Sequence, residues 1–277
     1  MKEREIIKMV RGQRAVDGAG VRLVRVLGHS DVTDFDPFLM LDSFDSTNPD
    51  DYIAGFPLHP HRGIETITYL ISGRIEHEDS LGNKGVIHSG ESQWMTAGSG
   101  ILHQEMPKPS ERMLGFQLWL NLPAVDKMAE PAYLTITPDM IPAVQKEEMQ
   151  ARVLSGRFEG VSGVSPRHIP ASIFDISLVA GATAQLPAHP DETVFVFLIE
   201  GDGMIGGQTI PAKTAVLFGE GDTISVSAPK DSALRFIFFS GKAHEPISWG
   251  GPIVMNTREE LDHAFNELQR GTFIKHK

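Results

Sequence analysis

The sequence predicts an all-β protein made of two small barrels, with one helix near the C-terminus. Three observations predict it. First, short runs rich in Val, Ile, Phe and Thr recur along the chain: VRLVRVLG, TITYLISG, LGFQLWLNL, SIFDISLVAG, TVFVFLIEG, AVLFGEG, TISVSA and LRFIFFSG. Gly, Pro, Asp or Ser follows most of them, and closely spaced strands of this kind read as a sandwich or barrel. Second, the chain repeats itself weakly. ETITYLISG, ending at Gly73, lies over TVFVFLIEG, ending at Gly201, and HSGESQWMTAGSG matches GEGDTISVSAPKD in character. A diverged repeat of strands implies one barrel per half. Third, only Thr257–Gln269, TREELDHAFNELQ, has a helical pattern.

Taken in order, residues 1–135 form the expected first barrel and 136–277 the second barrel plus the helix. Between them, Leu122 to Pro170 has linker composition, with several prolines, the acidic pair Glu147 and Glu148, and SGRFEGVSGVS. The helix has Thr257 as N-cap, with Glu260 three residues on to complete a capping box. Leu261, Ala264, Phe265 and Leu268 make one apolar stripe, and Gly271 supplies the stop. The stripe predicts packing on a barrel wall, with no role in function.

Composition removes several functions. The 277 residues carry a net charge of −11. Backbone binding to DNA or RNA needs clustered Lys and Arg, so nucleic acid is not an expected partner, and an anionic membrane surface is disfavoured for the same reason. No apolar run approaches the roughly 18 residues of a membrane span. The N-terminal MKEREIIKMVRGQRAV has no apolar core of a secretory signal. Cysteine is absent, so any metal must be held by His, Asp or Glu. The expected compartment is the cytoplasm. GDGMIGG, Gly201 to Gly207, matches a dinucleotide fingerprint literally, but QTIPAKTAVLF follows it and supplies no helix for a phosphate.

The chemistry lies in two short stretches. In FPLHPHRGIETITYLISG, His59 and His61 are two residues apart, so on a strand they share a face. In GESQWMTAGSGILHQEMP, His103 and Glu105 repeat that spacing after a glycine-bearing turn. Two such pairs on neighbouring strands give three imidazoles and one carboxylate. That shell leaves open positions on an ion, and it suits Fe(II), Mn, Ni, Cu or Zn. Glu65 is expected behind the ligands, either orienting a ligand imidazole or purely structural. His77 is a weaker candidate for the cavity rim and reads first as an exposed strand histidine; His88 reads as surface. In the second half, Pro187 aligns with His59, His189 with His61, and Leu234 and Phe236 with His103 and Glu105. One ligand of four survives, so no metal is expected there. His189, Asp191 and Glu192 read as a solvated loop. The aromatics Phe38, Phe44, Phe56, Trp94 and Trp119, with Met40 and Met95, are expected to form core, with some lining an apolar pocket.

HPHRGIETITYLISG followed by GSGILHQE resembles the two cupin motifs in the form shown by the pirin family. DPFLMLDSF, HEDSLGNKGVIHSGESQWMTAGSGILHQEMP, LGFQLWLNLP and GPIVMNTREELDHAFNELQRGTF are similar to pirin segments as well. The resemblance is dense over Phe35 to Pro123 and returns near the C-terminus. It implies a bicupin with a single iron in the N-terminal barrel, held by His59, His61, His103 and Glu105. It also implies a quercetin 2,3-dioxygenase-like activity on a small aromatic substrate and O2, with Glu105 as possible general base. The alternative it implies is an iron-dependent redox sensor acting through a protein partner. Pirin-like chains imply a monomer.

Overall fold

The structure, a computed structural model, describes residues 2–242 and 246–276. In chain order its first strands are β1 (Ile6–Arg11), β2 (Gln13–Asp17), β3 (Val21–Leu27), β4 (Phe38–Ser46), β5 (Phe56–His61), β6 (Ile64–Ser72), β7 (Arg74–Asp79), β8 (Lys84–His88), β9 (Ser92–Thr96), β10 (Ile101–Pro107), β11 (Met113–Asn121) and β12 (Ala132–Ile136). Then come β13 (Ala143–Gln145), β14 (Met149–Ser155), the small hairpin β15 (Arg157–Phe158) and β16 (Val161–Ser162), β17 (Ser172–Leu178), β18 (Thr183–Pro187), β19 (Thr193–Glu200), β20 (Gly203–Ile205), β21 (Gln208–Ile210), β22 (Thr214–Phe218), β23 (Thr223–Ser227) and β24 (Leu234–Gly241). The hairpin β25 (Ser248–Gly250) and β26 (Ile253–Met255) precedes the helix Arg258–Gln269; a four-residue turn of helix, Val32–Phe35, lies between β3 and β4.

Each half builds one seven-stranded and one four-stranded antiparallel sheet. The first half has the orders β12-β9-β6-β11-β4-β3-β2 and β5-β10-β7-β8. The second has β1-β22-β19-β24-β17-β14-β13 and β18-β23-β20-β21. The two topologies match strand for strand, so β19 does stand where β6 stands. The match also corrects the sequence alignment. The counterpart of β10 is β23, not β24, and the counterpart of β9 is β22. GESQ and GEGD are both turns, but one precedes β9 and the other precedes β23; turn composition alone set the alignment one strand out. GDGMIGG is the β20–β21 hairpin, with Gly206 and Gly207 at φ 57° and 75° in the two turn positions that favour glycine.

The division of the chain differs from a cut near residue 135. One compact unit comprises Arg14–Val32, Pro37–Thr137 and His244–Lys277; the other comprises Met1–Gln13, Thr33–Asp36 and Pro138–Ala243. The C-terminal helix therefore belongs with the first barrel, and β1 edges the main sheet of the second. The helix has the expected bounds and cap: Thr257 accepts from the Glu260 amide, and both halves of the capping box form. Leu261 and Ala264 are buried beside Ile253, Met255 and Phe273. No helix among the described residues is long and apolar enough to cross a membrane.

The second barrel is filled by one apolar cluster that includes Val153, Phe174, Leu186, Val196, Val216, Ile224, Phe236 and Phe238. The corresponding interior of the first barrel is polar, and it holds the site.

Candidate metal centre

Strands β5, β10 and β7 carry the site on one face of the four-stranded sheet. His103 is the direct cross-strand partner of His59 on one side and of Asp79 on the other; Glu105 pairs with His77. Alternation along β5 adds His61 to the same face. Candidate ligand atoms of His59, His61 and His103 all lie within 4.8 Å of one another. Ring centroids are separated by 4.4 Å for His59 and His103, 4.8 Å for His59 and His61, and 5.0 Å for His61 and His103. The turn before β10 needs glycine: Gly98 has φ 47°, and a Cβ there would lie 2.1 Å from the Ala129 carbonyl oxygen.

The three imidazoles fit an ion. His59 Nδ1 donates to the Pro57 carbonyl at 2.8 Å, and His61 Nδ1 donates to the Pro252 carbonyl at 3.0 Å. Each carbonyl fixes its tautomer and leaves Nε2 as the lone-pair nitrogen, as backbone acceptors do behind metal-bound histidines. Both ring nitrogens of His103 are buried without a hydrogen-bond partner, a costly arrangement that a metal bond would relieve. Burial and the neighbouring His59 push the His61 imidazole down to about 3, opposed by its bond to Pro252. Burial, with His61, His59 and His77 nearby, holds His103 well below its usual value. These two rings are therefore neutral at pH 7 and ready to ligate.

Glu105 is not within that group of three. Its carboxylate accepts from Thr68 Oγ1 at 3.0 Å, from Gln117 Nε2 at 2.5 Å, and from Gln93 Nε2. Tyr133 donates its hydroxyl to Gln93 Oε1 at 3.1 Å, so the amide is held with its NH2 toward Glu105. Thr68, Gln93 and Gln117 lie on the facing surface of the seven-stranded sheet, in direct cross-strand register.

Glu65 stands on the opposite surface of that sheet. It pairs with Thr96, and it accepts from Thr96 Oγ1 at 2.8 Å and Trp94 Nε1 at 3.0 Å. Three positions separate it from Thr68 on β6, which puts the two on opposite faces. Those two bonds tie Glu65 to the strand beside it on that outer surface. His77 is a correction too: it is buried, 3% exposed, stacked on Tyr133 at 4.2 Å and 5.3 Å from His103. Its Nε2 lies 3.4 Å from Asp79. The signal was present in RIEHED, where charged Arg74, Glu76 and Glu78 alternate with Ile75, His77 and Asp79. His88 is exposed, and His189 is exposed in the second barrel.

Beside the histidines opens a cavity of about 570 Å³, within the usual size of a small-molecule site. Met40, Phe56, Trp119 and Trp249 supply apolar wall; Arg25, Asp17, Asp42 and Gln117 supply polar wall. Trp119 meets the His61 ring edge-on at 4.8 Å, and Trp249 stacks on His29 at 3.8 Å. Trp249 and Pro252 come from the C-terminal segment and were not found from sequence, because no motif ties them to the histidines. The helix is also more than packing. Arg62, next to His61 and 1% exposed, donates to Glu267 at 2.7 Å, to the Phe273 carbonyl at 2.8 Å and to the Ser99 carbonyl at 2.8 Å.

Known proteins share this chain's sequence and fold. Residues 20–120 match the Pirin family model, and residues 173–274 match the Pirin C-terminal cupin domain. A pirin-like protein of Caulobacter vibrioides is 44% identical over 99% of this chain and 100% of its own length. The chain belongs to the pirin family. This pirin is a bicupin, as its two family domains and paired sheets require. It is also 42% identical to a Pseudomonas aeruginosa protein provisionally named a quercetin 2,3-dioxygenase, over 97% of each chain. The crystal structure of quercetin 2,3-dioxygenase from Acinetobacter baumannii superposes with a TM-score of 0.89 at 30% identity, covering 98% of both chains.

Proposed function

We propose that this pirin is a metal-dependent dioxygenase that opens the heterocycle of a flavonol such as quercetin with O2. The observation that carries the reading is a set of three mutually close imidazoles, His61 and His103 buried and His59 partly so, beside an aromatic-walled cavity. The names of the 42% and 30% identical relatives support the substrate class. His59, His61 and His103 hold the metal, with Glu105 as fourth ligand; Fe(II) is the proposed ion, and Mn, Ni, Cu or Zn suits the same donors. Bound there, the ion supplies Lewis acidity toward a flavonol oxygen and one-electron chemistry with O2.

The chain's own residues do the rest. The Pro57 and Pro252 carbonyls keep His59 and His61 in the ligating tautomer. Trp119, Trp249 and Phe56 offer flat apolar surface to the ring system and exclude water from it. Thr68 and Gln93 fill the acceptor positions of Glu105 Oε1, while Oε2 accepts only from Gln117 and keeps a position for a metal or for the flavonol hydroxyl proton. The two amides hold the carboxylate in place. The same reading takes the chain to be monomeric and cytoplasmic.

O2 uptake by anaerobically purified, Fe(II)-loaded protein given quercetin tests this, with metal content measured on the same sample. One O2 consumed per flavonol, lost in His59→Ala, is the expected result. A protein that carries one iron, consumes no O2 and changes partner binding with iron redox state is a regulator instead. Ring opening that is unchanged in Glu105→Gln removes the base role.

A further inference from the structure

The cavity has two unlike walls. Trp119, Trp249 and Phe56 form one; Arg25, Asp42 and Asp17 form the other. Arg25 grips Asp42 through Nε at 2.9 Å and Nη2 at 2.8 Å, and Nη2 also reaches Asp17 at 2.6 Å. The second oxygen of Asp17 accepts from the Gly18 amide at 2.7 Å. Two carboxylates thus face one guanidinium, and the wall keeps a net negative charge. Each carboxylate oxygen has room for a second hydrogen bond. Arg25 Nη1 has no hydrogen-bond partner among the described residues.

Spare acceptors beside a spare donor match a hydroxyl group, which gives one hydrogen bond and takes another. They do not match a carboxylate, which only accepts and would meet like charge. The wall also stands at a useful distance. Arg25, Asp42 and Gln117 are direct partners across β3, β4 and β11, and Gln117 donates to Glu105. Two strand spacings, roughly 10 Å, therefore separate Arg25 from the residue that touches the proposed fourth ligand. A flat fused-ring ligand with one end at the histidines would bring its far end to this wall.

We propose that Arg25, Asp17 and Asp42 determine specificity by reading a phenolic hydroxyl on the end of the ligand remote from the histidines. The site then selects neutral polyphenols over flat aromatics that lack that hydroxyl or carry a carboxylate in its place. This rests on the flavonol reading and names the feature selected within it.

The test is equilibrium binding to the full-length, metal-loaded protein without O2, read by quenching of tryptophan fluorescence. The probes are quercetin, a flavonol without hydroxyls on its pendant ring, and a flavonol with a pendant-ring carboxylate. Wild type is expected to bind quercetin about tenfold more tightly than either other probe, in line with a hydrogen bond to a charged group. Asp17 is half exposed, 46% for its side chain, so Asp17→Asn is a mild change; it should cut the preference over the unhydroxylated probe to about threefold or less by weakening quercetin alone. Arg25→Lys loses the planar fork and should act in the same direction. Tight flavonol binding with no preference in wild type overturns this inference and leaves the flavonol reading standing, as does a preference unchanged in both variants. If no flavonol binds, the flavonol reading fails and takes the inference with it.

Discussion

Two rows of residues, one in each barrel, run across five matching strands. In the first barrel, Arg25, Asp42, Gln117, Thr68 and Gln93 are successive cross-strand partners on β3, β4, β11, β6 and β9. In the second, the row on β14, β17, β24, β19 and β22 is Val153, Phe174, Phe238, Val196 and Val216. On the smaller sheets, His59 faces His103 in one barrel, while Leu186 faces Ile224 in the other. The same topology therefore supports an interior of hydrogen-bonded polar groups and an interior of close-packed apolar ones. The strands fix where side chains meet; the residue types decide whether the interior is a site or a core.

That contrast can be broken from either side. The largest effect is expected for His103→Ala, which should drop metal content from about one equivalent to below a tenth while the protein remains folded, by elemental analysis and circular dichroism. Ile224→Ala, its counterpart change in the second barrel, should leave metal content unaltered. Truncating the filled core is costly in a different quantity: Phe238→Ala should destabilise by about 3–5 kcal/mol in urea unfolding, with the metal site intact in the folded protein.

Smaller effects sharpen the comparison. His61 is held neutral down to about 3, whereas the unfolded chain takes up a proton near its ordinary value of 6.5. Between those values the unfolded state binds more protons, so stability of the metal-free protein falls as pH falls, by at most about 1.4 kcal/mol per pH unit for this group. The urea midpoint at pH 7 and pH 5 reads that slope, and metal should steepen it. The smallest change belongs behind the sheet: Glu65→Gln should cost about 1–2 kcal/mol, as Trp94 and Thr96 lose a charged acceptor, with no loss of metal.

The strand period made much of this readable in the sequence. His59–His61 and His103–Glu105 are legible because i and i+2 share a strand face, and the apolar runs mark both barrels. The helix was legible from its cap. Three things were not. The phase of β7 hid His77, since a histidine does not declare its side and only its charged neighbours do. The Gly-Glu turns before β9 and β23 are chemically interchangeable, which shifted the repeat alignment by a strand. Trp249, Pro252 and Glu267 reach the first barrel through the tertiary fold, which no local pattern encodes. Glu105 had the right spacing, but spacing cannot reveal the two glutamines that hold it.

The most direct test of the central claim is an anomalous difference map from crystals of the metal-loaded protein, measured on both sides of the metal's absorption edge. The account predicts one peak per chain, among His59, His61 and His103 in the first barrel. No peak at those histidines, or a peak inside the second barrel, would contradict it.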